Sequence, residues 1–162
     1  MPQHEVVVGI DPGLKGSLVC MQTQTGDLLD KIPMPKNIIP DVYRWLFQIK
    51  NTFPTLCIGL EKPLMMKGRS SLVGSFTSGR NFGCLEAAIR LLYVPFHIIP
   101  PQSWTHEMHK GIDGKDSKDR SLIVAKNIWP CEKFTYNEKQ LKPNEGIVDA
   151  MLIAEYLRRR IK

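Results

Sequence analysis

The sequence predicts an α/β domain, a mixed β-sheet carrying helices on both faces. Three strand-like runs follow one another at the N-terminus through short turns, the pattern of an antiparallel meander. Strands then alternate with segments whose apolar residues recur at helical spacing, the pattern of crossovers in a parallel sheet. The 162 residues suffice for one domain with a sizeable core.

Each element can be justified in order. Glu5–Ile10 is a β-branched, apolar run without alternation, as in a strand covered on both faces. It stops on Asp11, and Pro12-Gly13 turns the chain. Gly16–Thr23 and Asp27–Met34 complete the meander, with Gly26 in the turn between them, and Pro35–Pro40 ends it. Ile39, Val42, Leu46 and Ile49, with Trp45 beside them, mark a helix closed by Pro54. Thr55–Leu60 is a second wholly apolar run, and it too stops on an acid, Glu61, before Lys62-Pro63.

Leu64–Thr77 is rich in glycine and serine and is expected to be an exposed loop. A helix over Ser78–Tyr93 carries Phe82, Leu85, Ile89 and Leu92 on its apolar stripe, and Gly79 and Gly83 would let a neighbour approach. Pro95–Ile99 is a fifth strand, ended by Pro100-Pro101. A short turn of helix fits Gln102–His109, followed by a polar loop. A helix over Ser117–Ile128, capped by Asp116 or Ser117, stops before Pro130. Cys131–Pro143 is a second polar loop, after which Asn144 caps a last helix, Glu145–Arg160.

Composition narrows the class. The chain is 43% hydrophobic and 23% charged, as ordinary globular proteins are. A net charge of +6 permits a polyanionic partner without requiring one. No apolar run reaches membrane-spanning length, and the N-terminus lacks the basic flank and apolar core of a signal peptide, so an intracellular protein without a membrane partner is expected. Cys20, Cys57, Cys84 and Cys131 form no C-x-x-C pair and are expected to be free thiols.

The acids carry the chemistry. Ends of neighbouring strands lie ~5 Å apart, so two acids placed there repel and need a divalent cation or a shared proton. Glu145 and Asp149 are spaced i, i+4 on the last helix, on the stripe continued by Ile153 and Leu157 toward the sheet. Each acid alone has a plain reading: Asp11 as a turn residue, Glu61 as a solvated strand end, Glu145 as a partner of the helix dipole. Together they point to a site. Oxygen donors without a Cys/His set favour Mg²⁺ or Mn²⁺. Two such ions ~3.5–4 Å apart clamp an in-line phosphoryl displacement. His106 and His109 form an H-x-x-H pair, a minor metal candidate beside its reading as ordinary structure.

Gly9-Ile10-Asp11-Pro12-Gly13, the strand-end Glu61, and the segment from Glu145-Gly146-Ile147-Val148-Asp149 to Ala154 resemble the RuvC-type Holliday junction resolvases, of the RNase H-like nuclease superfamily. The opening motif is shared with sugar kinases and related ATPases, whereas the three acidic stations in order are more specific. The resemblance spans the chain and implies a single RNase H-like nuclease domain over 1–162, with a five-stranded sheet in the order 3-2-1-4-5. It implies Asp11, Glu61, Glu145 and Asp149 as ligands of two Mg²⁺ ions, with Mn²⁺ as a substitute. Lys118 matches a basic residue near the scissile phosphate. A homodimer with two active sites would nick paired strands of a four-way DNA junction, leaving 5′-phosphate and 3′-hydroxyl ends. The setting would be the cytoplasm or nucleoid of a bacterium or virus-infected cell, or an organelle. The chain departs from the bacterial pattern at the last helix, where two Asp three residues apart are usual. Here the spacing is four and the first acid is Glu145.

Basic residues near these stations are candidates for DNA phosphates: Lys62, Lys67 and Arg69 after Glu61, Arg80 and Asn81 at the expected start of the second helix, and Lys115, Lys118 and Arg120 at the start of the third. Solvated surface explains the charges equally well. Met65, Met66, Leu72 and Phe76 are candidates for an apolar wedge between bases, with Phe76 equally readable as a core anchor. The basic end, Arg158, Arg159, Arg160 and Lys162, reads as a solvated helix terminus or a further contact. The helix at 78–93 is the expected dimer face. Competing functions are a nuclease on other branched DNA or on RNA, a junction-binding protein without catalysis, and a kinase-like nucleotide-binding domain. The last needs a second lobe and a second phosphate loop that the chain lacks.

Overall fold

Val6–Ile10 (β1) is buried along its whole length, because sheet neighbours flank it and helices cover both faces. The computed structural model describes residues 4–64 and 72–161. Ser17–Gln22 (β2) and Leu28–Pro33 (β3) form the antiparallel meander with β1. Leu56–Glu61 (β4) and Phe96–Ile99 (β5) are parallel to β1, giving a five-stranded sheet in the order β3-β2-β1-β4-β5.

Ile38–Thr52 (α1) and Leu72–Arg90 (α2) cover one face, where Val8, Ile10, Leu46, Ile58, Leu85 and Ile89 form a core. Pro101–Met108 (α3), Ser117–Ile128 (α4) and Glu145–Arg160 (α5) cover the other, around Val7, Cys57, Trp104, Ile147 and Met151. Helix α5 is buried from Gly146 to Leu157 at every position but Asp149, which is half-buried, and not along a stripe alone. Even Glu155 lies inside, its carboxylate taken up by Arg158 and Arg159.

The seat of α5 is written in two glycines. Gly9 of β1 and Gly59 of β4 are register partners. A Cβ on Gly9 would lie 2.1 Å from the Ala150 carbonyl oxygen and 2.6 Å from the Ala154 nitrogen, so only hydrogen fits where the helix backbone crosses. Asp149, next to Ala150, is thereby delivered to the ends of β1 and β4.

Several expectations are corrected. Residues 72–77 are helical rather than loop, since α2 begins by Leu72 despite its serines and glycines. Arg80 and Asn81 therefore sit inside α2, where the amides are bonded within the helix, and cannot form an N-terminal phosphate site. Phe76 is 73% exposed and is no core anchor, while Phe82 packs against the core. A Cβ on Gly79 or Gly83 would meet nothing within 4 Å, so neither serves a close approach among the described residues. Pro40 lies in the first turn of α1, where its missing N–H costs no helical bond. Arg158 is not simply solvated: its guanidinium bonds Glu155 and the Thr23 carbonyl. Met65, Met66, Lys67 and Arg69 lie outside the described residues.

Candidate active site

The turn after β1 is closed by its own acid. The Gly13 amide donates to Oδ1 of Asp11 at 3.0 Å, the Asp11 amide donates to the Ser17 carbonyl, and Gly16 bonds back to Gly13. Parallel pairing matches Ile10 with Leu60, so the next residues, Asp11 and Glu61, leave adjacent strand ends. A Cβ on Gly146 would fall 2.2 Å from the Lys15 carbonyl, so the β1–β2 turn packs tightly on the first turn of α5.

Asp11, Glu61 and Asp149 interact. Burial pushes the Glu61 carboxyl up to about 7, with repulsion from Asp11 and Asp149 adding to it and the Trp104 bond opposing it. Asp149 is likewise pushed up to about 7, by burial first and then by Asp11, with Glu145 contributing. Burial also raises Asp11, against the Gly13 hydrogen bond. Three acids at one sheet end, each driven toward protonation by burial, form an environment that a bound cation would relieve. Among the described residues no three His, Cys, Asp or Glu side chains form a preassembled metal cage.

Glu145 stands apart from this trio. Its side chain is 64% exposed and pairs with Lys118, Nζ to Oε2 at 2.5 Å. That bond raises the Lys118 ammonium above its usual range. The pair lies at the mouth of a cleft of about 380 Å³, whose wall includes Ser121 and Asp149. Asp116 caps α4 by accepting from the Asp119 amide, and Asn144 caps α5 by accepting from the Ile147 amide, which fixes both helix starts beside the cleft.

Sequence reasoning missed the groups that hold the acids. Nε1 of buried Trp104 donates to Oε1 of Glu61 at 2.8 Å. The Ser121 hydroxyl donates to Asp149 and shares a 3.0 Å hydrogen bond with Nε2 of His109. His109 is thus held among side chains, with burial and then Arg120 lowering its pKa. Tyr136, from the long loop before α5, bonds the Ser17 hydroxyl and feels the Asp11 charge. A tryptophan spaced for the core and a serine inside a helix carry no sequence signal for such roles. Of the remaining phosphate-contact candidates, Lys62, Arg80 and Lys115 are exposed, and Asn81 and Arg120 are half-buried.

No protein-family model matches the chain, and no curated protein matches it in sequence. Solved structures do match in fold. RuvC of Thermus thermophilus in complex with a Holliday junction substrate superposes with a TM-score of 0.64 at 16% identity, over 97% of this chain and 96% of that one. RuvC of the same organism, in a second structure, gives 0.62 at 16%, over 96% and 97%. The yeast mitochondrial Holliday junction resolvase Ydc2 gives 0.60 at 14%, over 97% of this chain and 79% of that one. The chain therefore has the RNase H-like fold of these proteins, with the sheet order that the family resemblance implied.

Proposed function

We propose that this chain is a structure-selective endodeoxyribonuclease that resolves four-way DNA junctions by metal-dependent phosphodiester hydrolysis. One observation carries the reading: Asp11, Glu61 and Asp149 meet, half-buried, where β1, β4 and α5 converge. The fold likeness to a resolvase solved with its junction supports the choice of substrate.

The donor set fits a hard divalent cation, since it offers carboxylate oxygens whose mutual repulsion such a charge offsets. Asp11, Glu61 and Asp149 would hold Mg²⁺, with Glu145 completing the set on release from Lys118, and Mn²⁺ would substitute. A pair of bound ions would supply an activated water and a stabilised leaving oxygen. The chain's own groups do the rest. Trp104 and Ser121 orient two of the acids, and Lys118 at the cleft mouth neutralises a phosphate oxygen. Lys62 and Lys115 lie exposed for flanking phosphates, as do Arg80 on α2 and half-buried Asn81 beside it.

The chain would work as one nuclease domain in a homodimer, one site for each strand cut. Exposed Leu72, Val73 and Phe76 of α2 offer the dimer face or a wedge at the junction. Among the described residues no helix is long and apolar enough to cross a membrane.

Incubating a labelled four-way junction, a linear duplex and an RNA–DNA hybrid with protein and Mg²⁺ tests the reading. Symmetric paired nicks in the junction alone are expected. Cutting of the hybrid instead would shift the function to RNA.

A further inference from the structure

Helices α3 and α4 line a second cleft, of about 460 Å³, whose wall includes His109, the hydrogen-bond partner of Ser121. His106, His109 and Lys110 face Ser117 and Arg120 across it, and no carboxylate lines it. The acids of α4 are engaged elsewhere: Asp116 accepts from the Asp119 amide and Asp119 from the Lys115 amide. Nε of Arg120 is buried and has no hydrogen-bond partner among the described residues. A buried guanidinium N–H without an acceptor is costly, and a wall of donors without acids has the composition that binds a tetrahedral oxyanion.

We propose that the α3–α4 cleft is a phosphate-binding site that takes a backbone phosphate of the DNA held at the acids. The assignment to DNA rests on the proposed nuclease function, whereas the affinity for phosphate does not. Arg120 supplies the fork, Lys110 a second fixed charge, and His106 and the Ser117 hydroxyl the remaining donors. Because His109 also bonds Ser121, and Ser121 bonds Asp149, the occupied cleft is linked to one of the proposed catalytic acids through two side chains. DNA seated there is registered against the acids by a contact that reads the backbone and not the bases.

The test has two arms, both on the full chain without divalent cation. In the first, inorganic phosphate is titrated while the imidazole resonances of His106 and His109 are followed by NMR. Saturable shifts in the wild type, lost in Arg120→Ala, are expected. In the second, junction binding is measured against salt. The slope of log affinity should fall by about 1 in Arg120→Ala and in Lys110→Ala. Lys110 is exposed, so its variant serves if the Arg120 variant does not fold. Unshifted imidazoles together with unchanged slopes would overturn the site. Phosphate binding with an unchanged slope in a wild type that binds DNA would overturn the assignment to the backbone. A wild type that binds phosphate but no DNA would overturn that assignment and the proposed function together, leaving the cleft a phosphate site.

Discussion

Nε1 of Trp104 donates to Oε1 of Glu61 at 2.8 Å, so a side chain of the short helix α3 sets the orientation of the acid that ends β4. The acid is partly buried and pushed toward protonation, and this bond is what opposes the shift. Trp104→Phe keeps an aromatic ring in the core and removes the donor. Outer partners of metal ligands are worth about 10–100-fold in affinity or activity. Calorimetric titration with Mn²⁺ should show a loss of that size, with a stability cost of about 1–3 kcal/mol for the acceptor left unpaired. Unchanged Mn²⁺ affinity would reduce Trp104 to a packing residue.

Ser121 does for Asp149 what Trp104 does for Glu61. Ser121→Ala should weaken Mn²⁺ binding similarly, and Ser121→Thr, which keeps the hydroxyl, should restore much of it. Equal losses in the two variants would mean that the site responds to volume and not to the hydrogen bond.

The raised acids make the cation-free fold sensitive to pH. Glu61 and Asp149 lie at about 7 when folded, against ordinary values of 4.5 and 3.8. Between about pH 4 and 7 the folded state keeps protons that the unfolded state has lost, so these acids lower stability as pH rises through that window. A tenfold difference in proton affinity between the two states corresponds to about 1.4 kcal/mol. Denaturant melts from pH 4 to 8 should show wild type losing stability relative to Asp149→Asn as pH rises, with Mg²⁺ closing the gap at the high end. A gap independent of pH would contradict the shared burial of the acids.

The contact between Gly9 and α5 makes a geometric prediction. A methyl group there meets helix backbone, which cannot rotate away. Gly9→Ala should lower stability by about 1–3 kcal/mol or more, since overpacking forces the helix from the strand. It should also lose cleavage out of proportion to stability, because Asp149 moves from Asp11. Calorimetric melting beside a nicking assay separates the two effects.

Much of this arrangement could be read from the chain. Apolar strands that stop on Asp11 and Glu61 announce buried strand ends, and i, i+4 spacing puts Glu145 and Asp149 on one helix face. The separation of those two acids could not be read, because a neighbouring helix decides it: Lys118 of α4 draws Glu145 outward while Ser121 holds Asp149 in. The start of α2 was obscured because Gly74 and Ser75 read locally as loop residues, and nothing local outweighs them. The Trp104 and Tyr136 contacts join residues far apart in sequence, which periodicity cannot reveal.

The proposed nuclease requires that Asp11 act in hydrolysis and not in holding DNA. One native gel decides between these roles: a labelled four-way junction with Mg²⁺, run with wild type and Asp11→Asn, in which bound and nicked species both resolve. Paired nicks from the wild type are predicted, with an intact, fully shifted junction from the variant. Nicking by Asp11→Asn, or a variant that folds but no longer binds the junction, would contradict that role.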